Sequence, residues 1–301
     1  MENNNSILLH SGTNEVEIVE FGIQNSALGI NVIKVKEIIN AVEPVYIPMS
    51  SPYLKGIIQL RGDVIPVIDL GGYLNFKPSS NPKDDKYIVT EFNKSVYAFH
   101  VHSVSRIHRL SWEQIDKPTD VYQGSNNSIT GIVRIDGRMI LLLDFERIVY
   151  EISPEMVAPD SIGDYMDTRD KNVRIVIAED SQVLRTLLKE YLPKLGYKNL
   201  TFFQDGRQAW EYLGSIVEKH GTNYSEAVNL LITDIEMPQM DGHFLTKSVK
   251  EHTILKKLPV VIFSSLITER LKHKGTLVGA DAQVSKPEYD QLAHIINKYA
   301  L

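Results

Sequence analysis

The chain has 301 residues, enough for about two domains of ordinary size, and its 43% hydrophobic and 23% charged residues are those of a soluble globular protein. A net charge of −6, with no run rich in lysine and arginine, lacks the electrostatic footprint of a duplex nucleic-acid binder. A cysteine count of 0 excludes disulfides, thiolate metal sites and cysteine nucleophiles and fits a reducing cytoplasm, and no stretch of about 18 apolar residues is present to cross a membrane.

Residues 1–14 are polar, expected to fray, and carry no basic segment ahead of an apolar core, so they do not read as a signal peptide. From Glu15 the pattern alternates through Val16, Ile18 and Phe21, turns at Gln24-Asn25-Ser26, and resumes at Leu28, Ile30 and Val32, which predicts a hairpin. Residues 35–39 read as a short helix or turn closing it. Pro44, Pro48 and Pro52 punctuate a loop, and residues 56–70 form two apolar runs flanking Arg61-Gly62-Asp63, again a hairpin.

Residues 131–145 align without gaps on 56–70, matching Gly56 to Gly131, Gly62 to Gly137 and Asp69 to Asp144. The preceding segment recurs too: Ala98 to His102, Val104 and Ile107 echo Gly29 to Ile33, Val35 and Ile38. Two copies of a hairpin-rich unit predict a pair of small β-barrels. No catalytic constellation appears here, and His100, His102 and His108 read as a solvated strand face in preference to a metal site. Arg61, on a tight turn, suits recognition of a partner carboxylate; a surface arginine kept for solubility is the equal alternative on residue type alone.

Residues 15–150 resemble the CheW family of chemotaxis coupling domains, most sharply over 56–70. The resemblance implies two SH3-like five-stranded barrels and a non-enzymatic adaptor that binds chemoreceptor tips and the histidine kinase CheA. It implicates Arg61, in the Leu-Arg-Gly-x-x-Ile-Pro motif, in receptor contact. Residues 151–172 are acidic and carry proline and glycine, so they read as a linker, with helix at its start.

Beyond 172, strand-type and helical patterns alternate five times, predicting a doubly wound α/β domain with a parallel sheet. The apolar run 173–178 ends at Glu179-Asp180, the run 230–233 at Asp234, the run 259–263 at Ser264-Ser265, and the run 281–285 at Lys286-Pro287. Carboxyl ends of parallel strands are where such sheets place chemistry. Three carboxylates a few Å apart repel by roughly 4 kcal/mol per pair at 4 Å and effective dielectric 20, so they coexist around a cation, and an all-oxygen set suits Mg²⁺. Asp234 is then the nucleophile that accepts a phosphoryl group, Lys286 neutralises its charge, and Ser264 hydrogen-bonds one of its oxygens. The bland alternative is a carboxylate cluster that only caps helices and pairs with Lys286.

Residues 173–301 resemble the receiver domain of two-component response regulators along their whole length. The resemblance rests on Glu179-Asp180, on the Asp-x-x-Met-Pro-x-Met-Asp-Gly motif beginning at Asp234, on Ser264 and on Lys286-Pro287. It implies strand order 2-1-3-4-5 and Mg²⁺ held by Asp180, Asp234 and the main-chain carbonyl of Glu236, with Glu179 acting through water. At the family's aromatic switch position this chain has Gln283. A coupling domain followed by a receiver resembles the CheV type of chemotaxis protein. That implies an adaptor, not an enzyme, in the cytoplasm and recruited to receptor arrays, whose receiver is phosphorylated on Asp234 by the kinase phosphohistidine for adaptation or as a phosphate sink. The alternative is a phosphate-independent scaffold whose receiver only docks.

Overall fold

The computed structural model describes residues 15–92, 95–116, 128–153, 171–265 and 269–300. Contacts divide the chain into two compact units, Val16–Ala158 and Pro159–Leu301. The polar residues 1–14 and most of the expected linker lie outside the described residues.

The first unit opens with β1 (Glu15–Ile23) and β2 (Ser26–Asn31), the expected hairpin. Residues 35–39 are not helical. They belong to β3 (Val35–Asn40), which pairs antiparallel with a strand some 50 residues on. Next come β4 (Leu54–Leu60), β5 (Asp63–Asp69) and the one-turn helix α1 (Leu70–Tyr73). The chain continues through β6 (Lys86–Phe92), β7 (Ser95–Val101), β8 (Ser103–Ser111), β9 (Ile115–Asp116), β10 (Ile129–Ile135) and β11 (Arg138–Leu143) to α2 (Phe145–Ile152).

Two sheets result, in orders β8-β1-β2-β11-β10-β9 and β3-β6-β7-β5-β4. The sequence repeat is real in three dimensions. Arg61-Gly62 and Asp136-Gly137 are both turns with two positive φ angles, 53° and 102° in one and 50° and 74° in the other, the geometry that matches strand twist in a two-residue hairpin. Register irregularities fall at Leu54/Gly56 and Ile129/Gly131, and Asp69 and Asp144 cap α1 and α2 by accepting from the N–H three residues on. The parallel pairs Val67↔Ala98 and Leu142↔Gly29 are equivalent as well.

The copies do not correspond one-to-one with the sheets: each sheet draws strands from both copies, because β3 and β8 cross to the opposite sheet. The six strands of one sheet match the five of the other once the isolated bridge Val45↔Ile57 is set against β9. Both sheets curl so that their edges meet. Arg61 on the β4–β5 turn reaches Glu37 on the far edge strand at 2.9 Å, and Arg106 on β8 reaches Asp136 on the β10–β11 turn at 3.0 Å. These two ion pairs occupy equivalent positions with the charges exchanged.

The second unit comprises β12 (Arg174–Ala178), α3 (Gln182–Lys194), β13 (Asn199–Phe203), α4 (Gly206–His220), β14 (Leu230–Thr233), α5 (Gly242–Glu251), β15 (Val260–Ser264), α6 (Glu269–Leu277), β16 (Ala282–Ser285) and α7 (Tyr289–Ala300). All five strands pair parallel in the order β13-β12-β14-β15-β16, the expected 2-1-3-4-5. Period-two alternation explains the continuous apolar runs. Ile175, Ile177, Leu230 and Ile232 pack in one core with residues of α3 and α7, while Val176, Ala178 and Leu231 pack in the other with residues of α4 and α5. In the three central strands, with both faces covered, polar groups fall only at strand ends.

Candidate functional site

The carboxyl edge of this sheet is where the chain turns polar. Asp234 follows β14 directly; its N–H donates to the Ala178 carbonyl at 2.9 Å, and its Oδ1 accepts from the Ile235 N–H at 2.7 Å, which sets the carboxylate's direction. The turn beyond it closes tightly, with the Gly242 N–H on the Ile235 carbonyl at 2.8 Å. A Cβ at Gly242 would lie 1.8 Å from the Asp234 carbonyl oxygen, so the Asp-Gly step is a steric requirement of bringing α5 under the site. Asp241 caps α5 through the Phe244 N–H.

Glu179 and Asp180 leave β12 ahead of Ser181, the cap of α3. One oxygen each from Glu179, Asp180 and Asp234 can be chosen so that all lie within 4.8 Å of one another. Lys286, one residue past β16, enters from the other side. Its Nζ donates to Glu179 Oε2 at 2.6 Å and stands 3.3 Å from Asp234 Oδ2, and the residue is only 1% exposed. The Lys286 N–H binds the Ser264 carbonyl at 2.9 Å, which fixes Ser264 and Lys286 side by side at the ends of β15 and β16. Burial pushes the Glu179 carboxyl up to about 7, Lys286 opposes that, and the neighbouring Asp234 adds to it. Three carboxylates thus converge, with the Lys286 ammonium beside two of them, and a donor set of oxygens only fits a hard divalent cation.

Two family models match the chain: CheW-like domain over residues 17–153, and response regulator receiver domain over residues 175–297. Chemotaxis protein CheV3 of Helicobacter pylori is 31% identical over 297 residues, covering 94% of this chain and 94% of that one. The chain belongs to the CheV family. Among solved structures it is similar to the scaffolding protein CheW of Thermoanaerobacter tengcongensis (27% identity, TM-score 0.41, 43% of this chain and 84% of that one). It is also similar to the receiver domain of a Syntrophus aciditrophicus histidine kinase (28% identity, TM-score 0.36, 42% of this chain and 89% of that one).

Within this CheV-family chain the structure brings together Glu179, Asp180, Asp234 and Lys286, with Ser264 beside Lys286 and Glu236 buried on the loop that follows Asp234. Gln283 is bonded elsewhere. Its Nε2 donates to the Lys272 carbonyl at 2.7 Å and to Thr276 Oγ1 at 3.3 Å, tying β16 to α6, and Gly275 leaves the room its side chain fills. Arg61 has a side chain 78% exposed and pairs with Glu37.

Sequence reasoning missed Arg185. Its Nη1 donates to the carbonyls of Glu179 at 2.5 Å and Asp180 at 2.6 Å, clamping the backbone that presents the acidic pair. The one signal was an arginine on the first turn of a capped helix directly after that pair. Tyr289 was missed as well: its ring packs against Phe263 and Tyr191 beneath the site, and burial pushes its hydroxyl up. The reading of the three histidines as a solvated face is overturned for His100 and His108, while His102 is half-exposed. His100 is buried with Nε2 2.8 Å from Asp85, and His108 Nε2 lies 2.7 Å from Glu20.

Proposed function

We propose that the chain is an adaptor coupling chemoreceptors to the histidine kinase CheA, and that its receiver takes a phosphoryl group from the kinase's phosphohistidine onto Asp234. The observation that carries this reading is the buried Lys286 ammonium held 2.6 Å from Glu179 and 3.3 Å from Asp234. A lysine so placed offsets a carboxylate excess, and it offers positive charge where an incoming phosphoryl oxygen would gather. An Asp234 oxygen attacks phosphorus as the P–N bond breaks, and the leaving imidazole takes up a proton. Ser264 hydrogen-bonds a phosphoryl oxygen, and Arg185 keeps the Glu179–Asp180 backbone in place beneath it. Mg²⁺, held by Asp180, Asp234 and the Glu236 carbonyl with Glu179 through water, would neutralise the transferred group.

In this reading residues 15–150 are the coupling domain, 151–172 the linker and 173–301 the receiver. Arg61 meets a receptor carboxylate; Ile38 and Val64, 40% and 63% exposed on neighbouring elements, supply an apolar surround. No helix among the described residues is long and apolar enough to cross a membrane, and recruitment to receptor arrays runs through these partners. The phosphoryl group adds up to about two negative charges and shifts the receiver between two populations, which alters coupling for adaptation or drains phosphate from the kinase.

One observation favours a second reading, a scaffold whose receiver docks without phosphate: Gln283 is hydrogen-bonded to α6 where an aromatic switch would move. The deciding experiment incubates the chain with Mg²⁺ and a phosphorylated CheA-type kinase and follows label into wild type and Asp234→Ala. Label in wild type alone is the expected result. Label in neither overturns the phosphoacceptor role and leaves the docking scaffold.

A further inference from the structure

A second cluster of buried polar groups lies in the first unit, around a cavity of about 280 Å³ formed by the 41–44 strap, the start of α1, the 76–82 segment and β7. We propose that this cavity binds a small amino- or hydroxy-carboxylate. Nothing in the phosphoacceptor reading bears on it.

The wall is preorganised. His100, buried, has Nε2 2.8 Å from Asp85 Oδ2, and the Ser79 hydroxyl donates to the other Asp85 oxygen at 2.6 Å, so both Asp85 oxygens are engaged and one of them orients the imidazole. On the ring's far side Nδ1 stands 3.4 Å from the Lys55 ammonium, which places that ammonium at the cavity. Lys55 is half-buried and has no carboxylate within 4.0 Å among the described residues, although a half-buried ammonium ordinarily finds one, and Lys77 stands exposed at the rim.

His102 supplies the second donor. Its Nδ1 accepts the Gln24 N–H at 3.0 Å, so the proton of the neutral ring is on Nε2, and burial holds this imidazole's pKa below its usual value. That tautomer disfavours a metal at Nε2 and leaves an N–H with no acceptor among the described residues. Gly71 lies beside it, where a Cβ would meet Nε2 at ordinary van der Waals distance.

One acceptor completes the set. Asp69 Oδ1 takes the Gly72 N–H at 3.1 Å and faces His100 at 3.8 Å, whereas no hydrogen bond within the described residues engages Oδ2. The cavity thus offers two donors for a carboxylate and one carboxylate oxygen for an amine or hydroxyl, with Tyr87 and Phe76 for the carbon skeleton. Its volume falls just below the roughly 300 Å³ at which drug-sized sites begin, which suits a metabolite of a few carbons. The Val42 carbonyl accepts from the Tyr87 hydroxyl at 2.5 Å, so the strap over the cavity is tied to its wall and continues into the exposed Val45 and Tyr46. Occupancy therefore bears directly on an outer surface of the adaptor half.

The test titrates the full chain with L-malate, L-aspartate and L-serine, one at a time, following the His100 and His102 ring protons by NMR and the heat of binding by calorimetry. At least one acid is expected to shift both rings saturably, and Lys55→Gln is expected to weaken it about tenfold or more, the loss of one charge-assisted hydrogen bond. Should Lys55→Gln fail to fold, Lys77→Gln on the exposed rim replaces it, with a smaller expected loss. Silence from all three acids up to about 10 mM, or undiminished binding to the folded variants, overturns the proposal.

Discussion

Replacing Lys286 by methionine keeps the stem and deletes the ammonium, and its consequence can be worked through Glu179. In the wild type the Glu179 carboxyl is raised by burial to about 7 from an ordinary 4.5, with Lys286 already holding it down. An acid raised on folding lowers stability as pH climbs between its unfolded and folded values, by about 1.4 kcal/mol per pH unit, and adds no further slope above the folded value. In the absence of Mg²⁺ the wild-type curve should therefore fall from about pH 4.5 to pH 7 and then level off. Deleting Lys286 removes both its charge and its hydrogen bond, so the folded value rises again and the descent continues past pH 7. At pH 6 the two proteins differ little through Glu179, which is protonated in both. Above pH 7 the variant should lose stability relative to wild type, at up to about 1.4 kcal/mol per pH unit until its own higher folded value is passed. Urea unfolding in EDTA, read from Trp210 in a Trp112→Phe background, measures this, because Trp112 belongs to the first unit and Trp210 to the second. Parallel pH profiles for wild type and Lys286→Met would refute the coupling, and added Mg²⁺ should narrow the gap by supplying the missing charge.

The remaining predictions concern groups whose partners are equally specific. Burial would raise the Glu20 carboxyl, but the His108 hydrogen bond, Arg138 and Arg106 outweigh it and hold it below 4.5; this stability is present above the unfolded value and lost as pH falls through the folded one. Glu20→Gln should accordingly flatten the acid limb of the first unit's unfolding, read from Trp112, and an unchanged acid midpoint counts against it. Gly242→Ala drives a methyl into the Asp234 carbonyl, so the second unit should lose about 3 kcal/mol or more, and a melt within about 2 °C of wild type would contradict the geometry. Arg185→Ala releases two carbonyl contacts and should cost about 1.5–3 kcal/mol in urea unfolding, with Arg185→Lys recovering only part; equal stability of all three proteins would remove Arg185 from the site.

Most of the second unit was legible because its signals are local. The three central strands are buried on both faces, so each shows as an apolar run that stops where the sheet stops, and the residue at or just past that stop is a candidate site residue: Glu179, Asp234 or Ser264, with Lys286 following the edge strand β16. Parallel strands joined by helices bring those stops to one edge whatever the loops between them do. Arg185 escaped because its targets are backbone carbonyls, which every residue has and no sequence pattern marks. Gln283 was visible as a departure from a motif, yet its hydrogen bonds to Lys272 and Thr276 depend on the room that Gly275 leaves on a different element.

The first unit was legible as a repeat and illegible as a pairing. Val35, Ile38 and Ile39 have the three-to-four spacing of a helical stripe, but the segment is the edge strand β3, chosen by its antiparallel match to β6. Only that distant partner distinguishes a short apolar run in a strand from one in a helix. The histidines make the same point about chemistry. His100 and His102 share a strand face by their spacing of two, which the sequence shows, but whether that face meets water or carboxylates depends on Asp85, 15 residues away, and on Asp69, brought alongside by the parallel pair β5·β7. His108 finds Glu20 across 88 residues in the same way. The charge-exchanged ion pairs carry the argument furthest. Arg61 and Asp136 hold equivalent turn positions, so the backbone there demands a residue tolerant of positive φ and a glycine after it, and leaves the sign of the charge open. The sign at each turn is instead matched to the edge-strand residue it meets, Glu37 for Arg61 and Arg106 for Asp136, so the pairing across the sheet edges and not the turn accounts for the charge.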